Sequence, residues 1–229
     1  MTYYLSMPTF GIHKDAKLLA LFEERPWQGQ NPEQATVFFV SLDANFPRDF
    51  HKNRRYKGDQ GEYEKYGWYK QHTIEEWMQN QILNPEGLHH PFARPGCKVK
   101  GGPPYHRGIR SLGIEGLETK ICFLELLKKP TWGSSQGNKD SRNLFNDKVL
   151  HPENQTHLNN VKNWIIGKKA FFSCGMYRLL VEDLHGVFDA FSLRRISPQN
   201  SHFVVNHPSR FNQTPKEKEL ISNELHVAN

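Results

Sequence analysis

A chain of 229 residues with 37% apolar side chains is long enough for one domain with a sizeable core. It holds no apolar run near the ~18 residues of a membrane span. Its first residues, Met1-Thr2-Tyr3-Tyr4-Leu5, are no basic n-region leading into an apolar stretch, so the expectation is a cytoplasmic protein without a secretion signal. A net charge of +6 and a pI near 9.2 point to an anionic partner, nucleic acid first, although charge speaks to association and not to fold.

Residues 14–24 space Leu18, Leu21 and Phe22 for the inner face of a helix, which Pro26, Gly29 and Pro32 end. Residues 36–42 are a continuous apolar run of strand length, the pattern of a strand covered on both faces. The run ends in Ser41-Leu42-Asp43-Ala44-Asn45-Phe46, read as a turn. Residues 47–72 hold seven Lys/Arg against four Asp/Glu, interleaved with Phe50, Tyr56, Tyr63, Tyr66, Trp68 and Tyr69. Such a mixture suits a surface that tracks a phosphate backbone and stacks bases, or equally a solvated loop whose aromatics cover the core. Thr73-Ile74-Glu75-Glu76 is a capping box opening a helix to about Leu83. Residues 85–104, rich in Gly and Pro, read as loop, and residues 105–113 as a short helix with Arg107 and Arg110 outward.

A second strand is expected over residues 120–127, with Glu125 near its end, and a polar loop over 128–150. Leu158, Val161 and Ile165 give helical spacing to residues 153–166, residues 169–173 make a third strand, and residues 176–185 a helix closed by Gly186. The fourth strand, residues 202–206, runs into His207-Pro208-Ser209-Arg210-Phe211. Thr214-Pro215-Lys216-Glu217 is a capping box with Pro at the first helical position, opening a helix to about Leu225. Cys97, Cys122 and Cys174 stand singly with no CxxC pair, so no metal framework and no cofactor is expected.

Strands alternating with helices imply an α/β fold, one domain over residues 1–229 with a mostly parallel four-stranded central sheet flanked by helices. Ligands of such sheets sit beyond the carboxyl ends of the strands. Those ends carry Asp43, Glu125, the Ser173-Cys174-Gly175 turn and His207. A carboxylate and an imidazole more than 160 positions apart thus become candidates for one site.

This order resembles the uracil-DNA glycosylase superfamily: a strand ending in an Asp turn, a Pro-rich loop with Phe, a strand ending in a polar residue, and a strand ending in His-Pro-Ser. The likeness spans residues 36–212, with a basic and aromatic insertion at about 47–85, and its best motif is His207-Pro208-Ser209. The resemblance implies a monofunctional DNA glycosylase of base excision repair, acting as a monomer on single- or double-stranded DNA. Asp43 would then support the attacking water and the developing sugar cation. His207 would hydrogen-bond the base, as neutral imidazole or imidazolium. Phe92 would lie beneath the flipped base, with Asn45 and Phe46 beside it. Ser209 would pinch a phosphate, Phe211 would fill the vacated stack, and Arg107, Gly175 and Arg210 would lie along the DNA.

Two departures bear on specificity. Of the family's first motif, Gly-Gln-Asp-Pro-Tyr, only Asp43 is identical, and Asn45 stands where a Tyr excludes 5-methylated bases, so 5-substituted pyrimidines are admitted. Glu125 stands where many members read uracil with Asn. A carboxylate only accepts, whereas uracil offers an N3–H donor and an O4 acceptor. Either Glu125 is protonated by burial, or the base presents two donors, or Glu125 does not read the base and is paired with Arg107 or Arg110. With no Lys at a motif position, no Schiff-base lyase step is expected. Two other readings stand beside this one. The first is a nucleic-acid-binding protein on the same fold with lost or altered activity, and the second an unrelated hydrolase of free nucleosides.

Overall fold

The computed structural model describes residues 10–45, 108–109, 111–114, 117, 120–173, 179–180, 184, 188, 191–192, 201–206 and 214–226. Within them the order is β1 (Phe10–Ile12), α1 (Ala16–Glu24), β2 (Trp27–Gly29), β3 (Val37–Asn45), β4 (Ile121–Gly133), α2 (Lys139–Leu150), α3 (Pro152–Ile165), β5 (Lys169–Ser173), β6 (Phe191–Ser192), β7 (His202–Val205) and α4 (Pro215–His226).

The seven strands form one mixed sheet in the order β1-β4-β3-β5-β7-β6, with β2 also on β4. Strands β4, β3, β5, β7 and β6 run parallel, while β1 and β2 pair antiparallel with β4. The four expected strands are therefore the heart of a larger sheet. The three additional strands are two or three residues long, too short for a period of two to show.

Strand β3 has parallel neighbours on both sides, which is why Val37 to Val40 are buried without a break. On one face Phe38, Val40, Cys122, Leu124, Ala170 and Phe172 pack against Phe145 and Val149 of α2 and Leu158, Val161 and Ile165 of α3. On the other, Phe39, Phe123, Phe171, Phe203 and Val205 pack against Ile109, Leu112, Leu117 and, from α4, Ile221 and Leu225. The result is three layers, helix on sheet on helix. The free thiol of Cys122 is buried inside it.

Strand order reverses next to β3. The chain steps from β3 to β4 on one side, then returns past β3 to β5 on the other. Apolar residues of the first connection lie on one face and α2 and α3 on the opposite face, as right-handed crossovers in both directions require. The carboxyl ends of β3 and β5 consequently flank the switch point, where open α/β sheets bind ligands.

Three expectations need correction. Strand β3 does not end at Leu42 but runs through Asp43 to Asn45, so Asp43 is a strand residue and not part of a turn. Strand β4 does not end at Leu127 but continues to Gly133. A register shift between Asp43 and Asn45 carries it past Pro130, so that Asn45 pairs with Thr131, and β1 pairs beyond. A proline lacks the N–H of a regular ladder and is tolerated at such an irregularity.

The polar stretch at 128–150 is likewise more than loop, for Lys139–Leu150 is α2. Its apolar stripe is narrow, essentially Phe145 and Val149, and a capping signal opens it: Asn138 accepts a hydrogen bond from Ser141 N at 2.8 Å. The helices expected at residues 14–24, 153–166 and after Thr214 are present as α1, α3 and α4.

Candidate active site

The helix-α4 face of the sheet carries a row of phenylalanines across four parallel strands. Phe123, Phe39, Phe171 and Phe203 stand in register, with ring centroids 6.3, 5.1 and 5.7 Å apart. Two residues further along each strand the same face continues, because side chains alternate with a period of two. There β4 has Glu125, β3 has Ser41, β5 has Ser173 and β7 has Val205. Ser41 and Glu125 are Cα partners, as are Ser173 and Val205. A further two residues along β3 stands Asp43. An aromatic floor thus gives way to a polar step at the carboxyl ends, beside the switch point.

The carboxylate of Asp43 is held by two hydroxyls from the far part of β4 and the turn after it. Thr131 Oγ1 donates to Oδ2, and Ser135 Oγ donates to Oδ1 at 2.7 Å. Both donors are buried. Burial pushes the Asp43 carboxyl up from its usual range, and the two hydroxyl donors oppose that rise.

Glu125 differs. Part of its surface is open, but Oε2 is buried and meets no hydrogen-bond partner. Burial, reinforced by the charge of Asp43, pushes its carboxyl well above the carboxylate range. Two neighbouring carboxyls in one apolar setting do not both ionise, and the anion belongs where donors solvate it. Of the two, Asp43 is the one whose charge is supported by hydroxyl donors, and Glu125 the one that burial favours in the protonated form. Across the strand pair, Ser41 Oγ is also buried without a partner.

Helix α3 fixes this part of β4 from the opposite face. His157 Nε2 lies 2.8 Å from the Glu125 carbonyl oxygen. Asn154 Nδ2 donates to Leu126 O at 2.9 Å, and Asn154 Oδ1 accepts from Lys128 N at 3.1 Å. β2 pairs with β4 only at 122–124 and β1 only at 131–133, so these side chains serve backbone groups in the interval. Burial pushes His157 down to about 4, so it is neutral and donates through Nε2–H.

Of the residues singled out in the sequence, Asp43 and Glu125 come together on one sheet face. Asn45 ends β3, its backbone paired with Thr131. Phe46, Phe92, Arg107, Gly175, His207, Ser209, Arg210 and Phe211 lie outside the described residues, as do the insertion at 47–85, the Thr73 capping box and Arg110. Strand β7, which leads towards His207, ends at the same sheet edge as β5, with Val205 paired to Ser173.

The capping-box reading of Glu217 needs correction. Helix α4 starts at Pro215, but the Glu217 carboxylate accepts hydrogen bonds from Asn206 N and Asn206 Nδ2. It thereby ties the last residue of the β7 edge to the first turn of α4. Three site residues escaped the sequence reading: Ser41, Thr131 and Ser135. Ser41 shares the parity of Asp43 and was within reach of a period-two argument, whereas Thr131 and Ser135 depend on the unforeseen continuation of β4.

Among the described residues, no group of three or more His, Cys, Asp or Glu is placed to hold a metal ion, and no helix is long and apolar enough to cross a membrane. No family model, curated protein or solved structure matches the chain.

Proposed function

We propose that this chain is a monofunctional DNA glycosylase, hydrolysing the N-glycosidic bond of uracil or a related deaminated or 5-substituted base. The observation that carries the reading is a pair of carboxyls in unlike settings: Asp43 accepts from Thr131 and Ser135, whereas Glu125 Oε2 is buried with no partner among the described residues and burial raises its carboxyl. Cleavage of an N-glycosidic bond develops positive charge on the sugar and negative charge on the base. Asp43 stabilises the first and accepts a proton from the attacking water. A hydrogen-bond donor facing the base stabilises the second, by roughly 2.7–4 kcal/mol for a well-placed donor. A protonated Glu125 presents one donor and one acceptor, the complement of the N3–H and O4 edge of uracil. It thus removes the objection that a carboxylate cannot replace an amide there.

The net charge of +6 supports DNA as the partner, and the base must leave the stack to reach these carboxyls. His207 at the base, Phe92 beneath it, Ser209, Arg210, Arg107 and Gly175 along the phosphates and Phe211 in the vacated stack complete the proposal, on the strength of the resemblance. The protein acts as a cytoplasmic monomer without a cofactor.

The test is incubation with single-lesion oligonucleotides followed by alkaline cleavage at abasic sites. The expected result is strand scission at uracil, 5-hydroxymethyluracil or both, abolished by Asp43→Asn. No product from uracil, 5-hydroxymethyluracil, hypoxanthine or mismatched thymine overturns the reading. Salt-dependent DNA binding without product would favour a binding protein on this fold, and turnover of free nucleosides alone a nucleoside hydrolase.

A further inference from the structure

Ser41 and Glu125 each bury a polar side-chain atom with no hydrogen-bond partner among the described residues, and they are Cα partners on adjacent strands. An unsatisfied buried polar atom costs about 1–3 kcal/mol. Two at one level of the sheet, next to a carboxylate held by a hydroxyl on each oxygen, mark a place built to receive a partner from outside the fold. Among the described residues, the charged and titratable groups facing Glu125 are Asp43 from β3 and, behind the sheet, His157 of α3 against its carbonyl.

We infer that Glu125 is the general acid of this site, handing its proton to the leaving base as the sugar–base bond breaks. The inference rests on the glycosylase reading and goes beyond it, since there Glu125 only recognises the base. The step balances. The water oxygen bonds to C1′ and its proton passes to Asp43. The C1′–N bond breaks and its electron pair goes to the base ring. The Glu125 proton moves along its hydrogen bond to a ring carbonyl oxygen or ring nitrogen, and the base departs neutral. Asp43 is left protonated and Glu125 ionised, and one proton exchanged through water restores both. Paired carboxyls divide acid and base work in this way in O-glycoside hydrolysis.

The consequence is a substrate class. An enzyme that only stabilises a departing anion favours bases that are acidic in their own right. One that protonates the leaving group also accepts bases whose anions depart poorly.

The experiment compares single-turnover excision from oligonucleotides that differ only in the base, 5-fluorouracil being more acidic than uracil and 5-hydroxymethyluracil. Wild-type rates should vary less than about tenfold across the set. With Glu125→Gln, which keeps an N–H donor but has no transferable proton, uracil excision should fall 10²–10⁴-fold while 5-fluorouracil excision falls less than about tenfold. Equal losses on both bases, no loss on either, or a steep leaving-group dependence already in the wild type overturns the inference while leaving the glycosylase reading intact. The wild-type series decides the matter even if the variant does not fold. Failure of the wild type to excise any base overturns both.

Discussion

His157 holds Glu125 by its backbone, not its side chain: Nε2 sits 2.8 Å from the Glu125 carbonyl oxygen, through the sheet from the carboxyl group. The two residues have opposite titration behaviour. Burial lowers the imidazole to about 4 and raises the carboxyl well above its ordinary range. The imidazole is neutral at pH 7, and the candidate acid is anchored by a backbone contact that leaves its carboxyl group free. This arrangement gives stability a distinctive pH dependence.

Glu125→Gln should stabilise the fold at neutral and alkaline pH. Above about 4.5 the unfolded chain releases a proton that folded Glu125 retains, so stability falls as pH rises, by up to ~1.4 kcal/mol per pH unit for one group. The amide has no proton to lose. Thermal melts from pH 4 to 8.5 should show the wild type declining against the variant as pH rises from about 4.5; curves parallel throughout would mean that the fold does not raise the Glu125 carboxyl.

His157 sets the acid side. Between 6.5 and about 4 the unfolded imidazole takes a proton that the folded one refuses, so stability falls as pH drops through that interval, by about 3 kcal/mol in all. His157→Gln retains an N–H for the Glu125 carbonyl and should lose this dependence. Urea unfolding of both proteins at pH 4.5 and 7 measures it, and an unchanged acid limb in the variant would assign it to other groups.

Thr131→Val should act on both fold and chemistry. The Asp43 carboxylate would keep Ser135 but lose its second hydroxyl donor, at about 1–3 kcal/mol of stability. The excision rate should fall with the loss of orientation, though less than for Asp43→Asn, for which 10²–10⁴-fold is expected. Single-turnover rates beside urea midpoints separate the effects; a stability loss with an unchanged rate would show that Thr131 serves only the fold.

Phe171 stands between Phe39 and Phe203 in the aromatic row and is fully buried. Phe171→Ala should cost about 3–5 kcal/mol by leaving a cavity. At the far end of the sheet, Gly29 has φ +78°, and a Cβ there would lie 2.7 Å from Ile121 O. Gly29→Ala should destabilise by more than about 1 kcal/mol through both strain and clash. Denaturant midpoints check both, and a neutral Gly29→Ala would show that β2 can move off β4.

Sequence periodicity determined the fold class and the four long parallel strands. A strand buried in the middle of the sheet must be apolar there, and the runs at 37–40, 121–124, 170–172 and 203–205 satisfy that locally. It also placed Asp43 near the carboxyl end of β3, whereas Glu125, expected near the end of its strand, stands five residues into a β4 that runs on to Gly133. Only tertiary structure decided that β4 continues past Lys128-Lys129-Pro130, because its continuation depends on a register shift against β3 and on pairing with Phe10–Ile12, more than a hundred residues away in sequence. The same continuation brings Thr131 and Ser135 to Asp43. It therefore decided which carboxyl has hydroxyl donors and which has none among the described residues, a difference made by tertiary pairing that no local pattern encodes.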